Sequence, residues 1–236
     1  MNNKILLIIP TLNEFGNIQK IYKKVKKIFK KIDIIFIDDN STDGSKDVII
    51  NLTRKDKKVN YIFRKKKLGI GSAHKVGIKL AKKKKYRYVC TMDADGAHNP
   101  KYIKKMLKFI IENNIVITNR FLLKDSLKNW KMKRVLITKL RFHFIKFLLG
   151  SKLDGSGGFR LYDLKKININ DIFMSKSNNY NFLWESIFLL EKRYKIYEIP
   201  IILPNRSLGN SKMKFKDLII GFFSLLNFFV KYRLKI

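Results

Sequence analysis

The chain has 236 residues, of which 46% are hydrophobic, and it carries a formal net charge of +34 at pH 7. These values exclude a disordered chain, because the length and the apolar content suffice for one large domain with its own hydrophobic core. The single cysteine, Cys90, excludes a disulfide framework within the chain, and the charge predicts attraction to polyanions unless it reflects a general lysine bias.

Short apolar runs alternate with amphipathic segments through the first half of the chain. The runs, which we predict to be strands, cover residues 5–9, 34–37, 59–63, 88–92 and 115–118. The segments between them have apolar residues at helical spacing and cover residues 18–29, 46–52, 70–83 and 101–112. This alternation predicts an α/β fold with a mostly parallel, Rossmann-like sheet and helices on both faces.

The alternation stops after Arg120, and longer helical patterns follow. We predict helices over residues 130–149, 182–193 and 218–230, a glycine-rich turn at 154–158 and a strand at 196–203. Residues 1–213 are interpreted as one α/β domain, and residues 214–236 as an apolar and basic C-terminal helix that lies at a membrane interface. We expect no signal peptide and no spanning helix, because the longest apolar stretch is shorter than the roughly 20 residues that cross a bilayer.

Acidic residues follow three of the predicted strands, at Glu14, at Asp38 and Asp39, and at Asp93 and Asp95. The carboxyl ends of parallel strands meet at one edge of a sheet, which is where such sheets bind ligands. Two carboxylates separated by one small residue, Ala94, can share a hard divalent cation through oxygen ligands. The sequence therefore predicts a Mg²⁺ or Mn²⁺ site at Asp93 and Asp95.

Several short motifs occur in a fixed order along nearly the whole chain. They are I-P-T-L-N-E at 9–14, I-D-D-N-S-T-D-G at 37–44, K-L-G-I-G-S-A at 67–73, M-D-A-D at 92–95, N-R-F at 119–121, D-G-S-G-G-F-R-L-Y at 154–162 and R-x-x-G-x-S-K at 206–212. In this order they resemble family 2 glycosyltransferases of the GT-A fold, and specifically the dolichol-phosphate mannosyltransferases, also called polyprenyl-phosphate sugar synthases.

The resemblance implies a donor-binding site for a nucleotide sugar. The residues that it implies around the base and ribose are Pro10, Leu12, Glu14, Ile37 and Asp39. Those that it implies near the metal and the diphosphate are Asp93, Ala94 and Asp95, with the cations Arg120, Arg206, Lys212 and Lys214. It further implies catalytic roles for Asp95, Arg120 and Asp154, and it puts Asp154 and Glu185 on the acceptor side. Departures from the family pattern are Leu12 in place of an aromatic residue, Ala97 in place of a possible third metal ligand, and Leu208 in place of a basic residue.

The resemblance also implies a reaction, which is inverting transfer of a hexose, with mannose favoured, from GDP-mannose or a UDP-hexose to a polyprenyl or dolichyl phosphate. A phosphate monoester is largely a dianion at neutral pH and needs no general base. If the acceptor were a sugar hydroxyl, Asp154 would be the base, and addition of a sugar to a glycan or another hydroxyl acceptor stays open as an alternative.

The location of the basic residues bears on the choice between a membrane and a nucleic acid as the polyanion. The predicted helix 130–149 combines basic residues with large apolar ones, and the apolar helix 218–230 is followed by Lys231, Arg233 and Lys235. Both patterns are typical of helices at a membrane interface. We therefore expect a peripheral protein on the cytoplasmic face of a membrane, with a membrane-anchoring protein as a possible partner. A basic nucleic-acid-binding protein is a remote alternative, because no recognition motif occurs and the acidic motifs would repel a phosphate backbone.

Overall fold

The computed structural model describes residues 4–205, 208 and 215–234. The described residues form one sheet of seven strands, eight α-helices and a short π-helical segment, Val230–Leu234. The strands are β1 Ile5–Thr11, β2 Asp33–Asp38, β3 Val59–Phe63, β4 Tyr88–Thr91, β5 Ile115–Asn119, β6 Arg160–Asp163 and β7 Ile196–Pro200. The helices are α1 Phe15–Ile28, α2 Ser45–Lys55, α3 Ile70–Lys83, α4 Lys101–Phe109, α5 Met132–Leu149, α6 Ile169–Phe173, α7 Asn181–Glu191 and α8 Phe215–Phe229.

The strand order across the sheet is β3-β2-β1-β4-β6-β5-β7. Every neighbouring pair is parallel except the two that involve β6, which runs antiparallel to both β4 and β5. The predicted mostly parallel α/β sheet is thereby confirmed. The sequence did not predict β6 as a strand, because it is only four residues long and begins with an arginine.

Apolar layers cover both faces of the sheet, as expected for a parallel sheet between helices. On one face, Leu7, Ile9 and Phe36 pack against α1 and its neighbours, and on the other face Ile8 and Ile35 pack against α3 and α7. Successive residues of β1 thus point into opposite layers, which explains why the strand reads as a continuous apolar run rather than as an alternating one.

The direction of β6 decides what lies at the functional edge of the sheet. The parallel strands β1, β2, β4 and β5 all end at this edge. Because β6 is antiparallel, it begins there, so the glycine-rich turn that precedes it joins the same edge. Residues 154–158 therefore lie beside the loops that follow β4 and β5, although they are far from them in the sequence.

Helices α5 and α8 pack against each other and against α7 rather than against the sheet. A third apolar cluster, which includes Ile145, Trp184, Phe188 and Leu225, joins them. The predicted helices at 130–149 and 218–230 are confirmed with small shifts at their ends. Within the described residues, no helix is both long and apolar enough to cross a membrane.

Candidate functional site

The loop after β4 holds the two carboxylates of the predicted metal site. Asp95 is buried, and its Oδ1 accepts a hydrogen bond from the backbone N–H of Ala97 at 3.0 Å. The side chain of Asp93 is 37% exposed, so one of the two acids faces solvent. Gly158 lies against this loop, and a Cβ at that position would come within 3.0 Å of Asp93 Oδ1. The glycine-rich turn thus leaves space for the carboxylate of Asp93.

His98 fixes the shape of this loop. Its Nδ1 accepts a hydrogen bond from the backbone N–H of Asp93 at 3.1 Å, and its buried ring stacks on Phe159 with the centroids 4.9 Å apart. A ring nitrogen that accepts a hydrogen bond uses its lone pair in doing so. Nδ1 is therefore engaged in holding the loop.

The residues at this loop fit a hard divalent cation that is shared with a phosphate ligand. Mg²⁺ is usually bound by one or two carboxylates together with substrate phosphates and water, and Asp93 and Asp95 supply two carboxylates. Among the described residues, no group of three or more His, Cys, Asp or Glu side chains is arranged to hold a metal.

Arg120 and Asp154 form a buried, bidentate ion pair next to this loop. The Nε and Nη2 atoms of Arg120 donate to Oδ2 and Oδ1 of Asp154 at 2.8 and 2.6 Å, and the backbone N–H of Arg120 donates to Oδ2 at 3.0 Å. Burial opposes ionisation of Asp154, but the charge and the hydrogen bonds of Arg120 outweigh it and lower the pKa of the carboxyl. The negative charge of Asp93 also helps to raise the pKa of Arg120, which places the pair of Arg120 and Asp154 beside the predicted metal site.

The carboxylate of Asp154 has its lone pairs engaged. In addition to the three hydrogen bonds from Arg120, Oδ1 accepts one from the hydroxyl of Ser156 at 3.2 Å. A carboxylate offers about four lone-pair sites. In this geometry Asp154 orients the guanidinium of Arg120 and has no lone pair left for an acceptor hydroxyl.

Glu198 on β7 is a residue that the sequence analysis missed. Its Oε1 accepts the backbone N–H of Asp154 at 2.7 Å, and its Oε2 accepts the side-chain N–H of Asn119 at 2.9 Å. Burial raises the pKa of Glu198, and the negative charges of Asp154 and Glu191 add to this, while its hydrogen bonds oppose it. The residue ties the end of β5 to the turn before β6. The available signal was its place as the one charged residue within the apolar run 196–203.

At the other side of the sheet edge, Asp39 is held by three donors. Oδ1 accepts hydrogen bonds from Arg64 Nη1 at 2.9 Å and from the backbone N–H of Leu68 at 2.7 Å, and Oδ2 accepts one from the backbone N–H of Gly69 at 2.8 Å. This leaves one lone pair of Oδ2 unused by the described residues. Arg64, which is buried, was not predicted as part of the site.

The other predicted nucleotide contacts lie on β1, β2 and the start of α1. Pro10 and Leu12 are partly exposed, and Pro10 pairs with Ile37 across the two strands. Ile37 is completely buried, so the described structure exposes none of it to a ligand. Glu14 is buried at the N-terminus of α1, where its Oε2 accepts a hydrogen bond from Asn17 Nδ2 at 2.6 Å. These residues gather near Asp39.

Of the three remaining predicted cations and the remaining predicted acid, the structure describes only the acid. Arg206, Lys212 and Lys214 lie outside the described residues. Leu208 is described, and its carbonyl oxygen accepts a hydrogen bond from Asn17 Nδ2 at 3.1 Å, beside the start of α1. The acid, Glu185 on α7, is buried among the hydroxyls of Ser175, Ser177 and Ser224 and lines a cavity of about 500 Å³ below α8.

Comparisons with known proteins agree with this arrangement. An undecaprenyl-phosphate mannosyltransferase of Micrococcus luteus is 29% identical over 212 residues, which cover 89% of this chain and 87% of the relative. A polyprenol monophosphomannose synthase of Mycolicibacterium smegmatis is 28% identical over 238 residues, which cover 98% of this chain and 89% of the relative.

Among solved structures, the fold is similar to that of the glucosyl-3-phosphoglycerate synthase from Mycobacterium tuberculosis in complex with Mn²⁺, UDP-glucose and phosphoglyceric acid. The TM-score is 0.70 at 15% identity, and the match covers 98% of this chain and 79% of the other. The model of the family described as glycosyl transferase family 2 matches residues 6–168. The chain belongs to glycosyl transferase family 2 and is a glycosyltransferase of the GT-A fold.

Proposed function

We propose that the chain transfers mannose, with inversion at the anomeric carbon, from a nucleotide-diphosphate sugar to a polyprenyl phosphate. The observation that carries this proposal is the match along nearly the whole chain to two relatives that are named for making mannosylated polyprenyl phosphates. GDP-mannose and a UDP-hexose are the donors to be compared, and dolichyl phosphate is included among the acceptors.

Asp93 and Asp95 are proposed to hold Mg²⁺ or Mn²⁺ against the diphosphate of the donor. The cation, when bound, would offset the negative charge that grows on the leaving diphosphate. The observation in favour is the contrast between the two acids, since Asp95 is buried and oriented by Ala97 while Asp93 is partly exposed. Ala94, which the resemblance implies near the diphosphate, is buried in the apolar layer on that face of the sheet.

The nucleoside is proposed to bind over β1 and β2, against Pro10, Leu12, Glu14 and Asp39, with the buried Ile37 beneath them. The unused lone pair of Asp39 Oδ2 would accept an N–H or O–H of the nucleoside, and an ionised acceptor makes a strong hydrogen bond. Arg206, Lys212 and Lys214 are proposed as cations for the donor diphosphate or the acceptor phosphate.

The state of Asp154 favours a phosphate over a hydroxyl as the acceptor. A hydroxyl acceptor would need a base, and Asp154, which the sequence predicts for that role, already accepts four hydrogen bonds. A phosphate monoester is largely a dianion at neutral pH, so it needs positioning rather than deprotonation. We infer that Asp154 positions Arg120 and that Arg120 contacts a phosphate of one of the substrates.

A broad apolar surface on α5 and α8 supports contact with a membrane. Its exposed members include Met132, Leu136, Leu140, Phe144 and Phe147 on α5 and Ile219, Ile220, Phe222 and Phe223 on α8. Phe144 and Phe222 touch edge to face, so the two helices present one surface. Exposed apolar patches of this kind, with basic residues on α5 and after α8, are typical of interfacial binding. We propose peripheral attachment at the cytoplasmic face through residues 214–236 and α5, with an anchoring protein as a further possible partner.

The test is a comparison of donors and acceptors with the purified full chain. Radiolabelled GDP-mannose, UDP-glucose and related donors are incubated with polyprenyl phosphate or with a water-soluble sugar, and the products are separated by organic extraction. We expect label from GDP-mannose in the organic phase, with activity that is lost on chelation and restored by Mg²⁺ or Mn²⁺. Label that enters only the water-soluble sugar would favour the hydroxyl-acceptor alternative.

A further inference from the structure

A partly buried arginine on α5, Arg141, lies outside the interactions described so far. It lines a cavity of about 170 Å³ together with residues of α7 and α8, among them Trp184 and Gly221. Within the described part of the chain, no hydrogen bond or ion pair engages its guanidinium. A charge that is withdrawn from water is costly unless it is paired. The guanidinium of Arg141 therefore has no directly bonded anionic partner among the described residues.

The acid whose charge reaches Arg141 cannot neutralise it fully. That acid is Asp154, which is already saturated by Arg120 and Ser156. Burial and, to a smaller extent, the positive charge of Arg120 lower the pKa of Arg141 to about 10, although the negative charge of Asp154 opposes both effects. The side chain stays charged at neutral pH. The guanidinium groups of Arg120 and Arg141 thus lie near one carboxylate, that of Asp154. Together these three side chains carry a net positive charge.

We propose that Arg141 binds the phosphate group of the acceptor and holds it beside Arg120. The identity of the acceptor rests on the proposed function. A guanidinium can donate two parallel hydrogen bonds to one phosphate, which fixes its orientation as well as its charge. Arg141 is then a positioning residue that sequence motifs do not reveal, because it occurs in the middle of a helix with no motif around it.

The residues that line the cavity suit the hydrocarbon chain of such an acceptor. Ile137 and Phe144 of α5 and Leu225 of α8 line it, so a phosphate at Arg141 would have apolar surface next to it for the attached chain. The carboxylate of Asp217 lies at the α8 side of the same cavity, which favours the α5 side for an anion. The donor diphosphate is the other phosphate group in the reaction, and the experiment must separate the two.

The experiment uses the full chain with the substitutions Arg141→Gln and Arg141→Lys. The control is Arg54→Gln, which removes the same charge from the exposed end of α2. The probe is a short-chain isoprenyl phosphate that is soluble without vesicles, so that a change in membrane attraction does not enter. Calorimetry measures the Kd of this probe, and separately the Kd of a nucleoside diphosphate with Mn²⁺. Steady-state rates give the KM of each substrate, and thermal unfolding confirms that each variant folds.

We expect Arg141→Gln to raise the Kd and the KM for the isoprenyl phosphate about tenfold or more, the effect of one charge-assisted hydrogen bond. Arg141→Lys should fall between this variant and the wild type, because it keeps the charge without the fork. Nucleoside diphosphate binding should not change in either variant. The proposal is overturned if Arg141→Gln binds the probe as well as Arg54→Gln does, or if the affinity for the nucleoside diphosphate falls instead.

The two proposals fail in different ways. If the wild type binds the isoprenyl phosphate through Arg141 but transfers no sugar to it, the anion site stands and the proposed function is wrong. If the wild type does not bind the probe at all, the assignment of Arg141 is wrong, whatever sugar transfer is observed with other acceptors.

Discussion

The two sides of the functional sheet edge differ in what holds their loops and in what they expose to solvent. On the proposed donor side, the loops after β1 and β2 hold each other. Ser41 accepts the backbone N–H of Asn13 at 2.7 Å, and the side chain of Asn13 accepts the backbone N–H of Thr42 at 2.9 Å. On the proposed acceptor side, Arg141 is unpaired within the described residues, and phenylalanine side chains of α5 and α8 are exposed.

This difference indicates two ways of preparing a binding site. Loops that hydrogen-bond to each other keep their shape before the ligand arrives, which lowers the cost of ordering on binding. The acceptor side has Arg141, which is unpaired among the described residues, and exposed apolar side chains. It is completed by a ligand or surface that supplies both an anion and a hydrocarbon phase. Under the proposed function, the donor side is a preformed template, whereas the acceptor side is completed by the membrane and its lipid.

The largest expected effect lies where the two sides meet, at the loop after β4. Asp95→Asn should lower kcat by about a hundredfold or more, because loss of one group that compensates charge in the transition state costs about 3 kcal/mol. Steady-state kinetics at saturating Mn²⁺ measures this. Asp47→Asn, on the exposed face of α2, is the matched control. Near wild-type turnover of Asp95→Asn would remove Asp95 from the proposed mechanism.

The ion pair on the acceptor side predicts a pH-dependent loss of stability. Asp154→Asn should lower the free energy of unfolding at pH 7 by about 3 kcal/mol, because Arg120 is left buried and unpaired. The folded state lowers the pKa of Asp154 from its usual 3.8, so the wild type has this advantage above that value and loses it as the pH falls through the lower, folded pKa.

Urea unfolding at pH 7 and at a series of acidic pH values measures this difference. Asp125→Asn, at an exposed aspartate in the loop before α5, should show no such pH dependence. A gap between Asp154→Asn and the wild type that stayed constant into strong acid would contradict the role given to the carboxylate.

Membrane attachment should depend on the apolar surface more than on charge. Replacement of both Phe222 and Phe223 by Ser should weaken binding to anionic vesicles about tenfold or more, since burial of one such side chain contributes about 1.5–3 kcal/mol. Sedimentation with vesicles at low and high salt measures this, and the wild type should be released only in part by high salt. Ile111→Ser removes an equally exposed apolar side chain elsewhere and should bind as the wild type does.

The smallest effect is expected at Ala97, where the family pattern has a possible metal ligand. Ala97→Ser adds a hydroxyl with little volume at a buried position, and it should lower the metal concentration for half-maximal activity about twofold. Titration of activity with Mn²⁺ at saturating donor measures the shift. No shift would mean that water or a substrate oxygen already completes the coordination.

The sequence predicted the parts of the site that follow from local patterns of apolar and acidic residues. The apolar runs predicted the strands. The acidic residues that follow these runs predicted that the loop of Asp93 and Asp95 and the residue Asp39 lie at one edge of the sheet. Glu198 and Arg141 were missed as site residues because their roles depend on contacts across long sequence distances. The hydrogen bond between Asp154 and Glu198 joins residues 44 positions apart, and periodicity contains no information on such pairs.

Strand β6 was missed for a different reason. Rules for single sequences treat arginine as exposed, yet Arg160 at the start of β6 is completely buried. Its guanidinium donates to the carbonyl oxygens of Gly155, Gly157 and Leu183 and to the hydroxyl of Ser186. Carbonyl dipoles rather than a carboxylate satisfy the charge, and their convergence is created by the folded turn and α7.

The position of β6 between β4 and β5 has a consequence for the order of events during synthesis. Strands β1 to β4 can pair as soon as they emerge, because their partners precede them or follow closely. Strand β5 pairs only with β6 and β7, so residues 115–119 must wait for residues 160–163 before they join the sheet. Pairings over such distances form late, and a strand edge that waits is prone to aggregation. Ribosome-bound chains that end before residue 160 should therefore protect β1 to β4 from proteolysis while β5 stays sensitive.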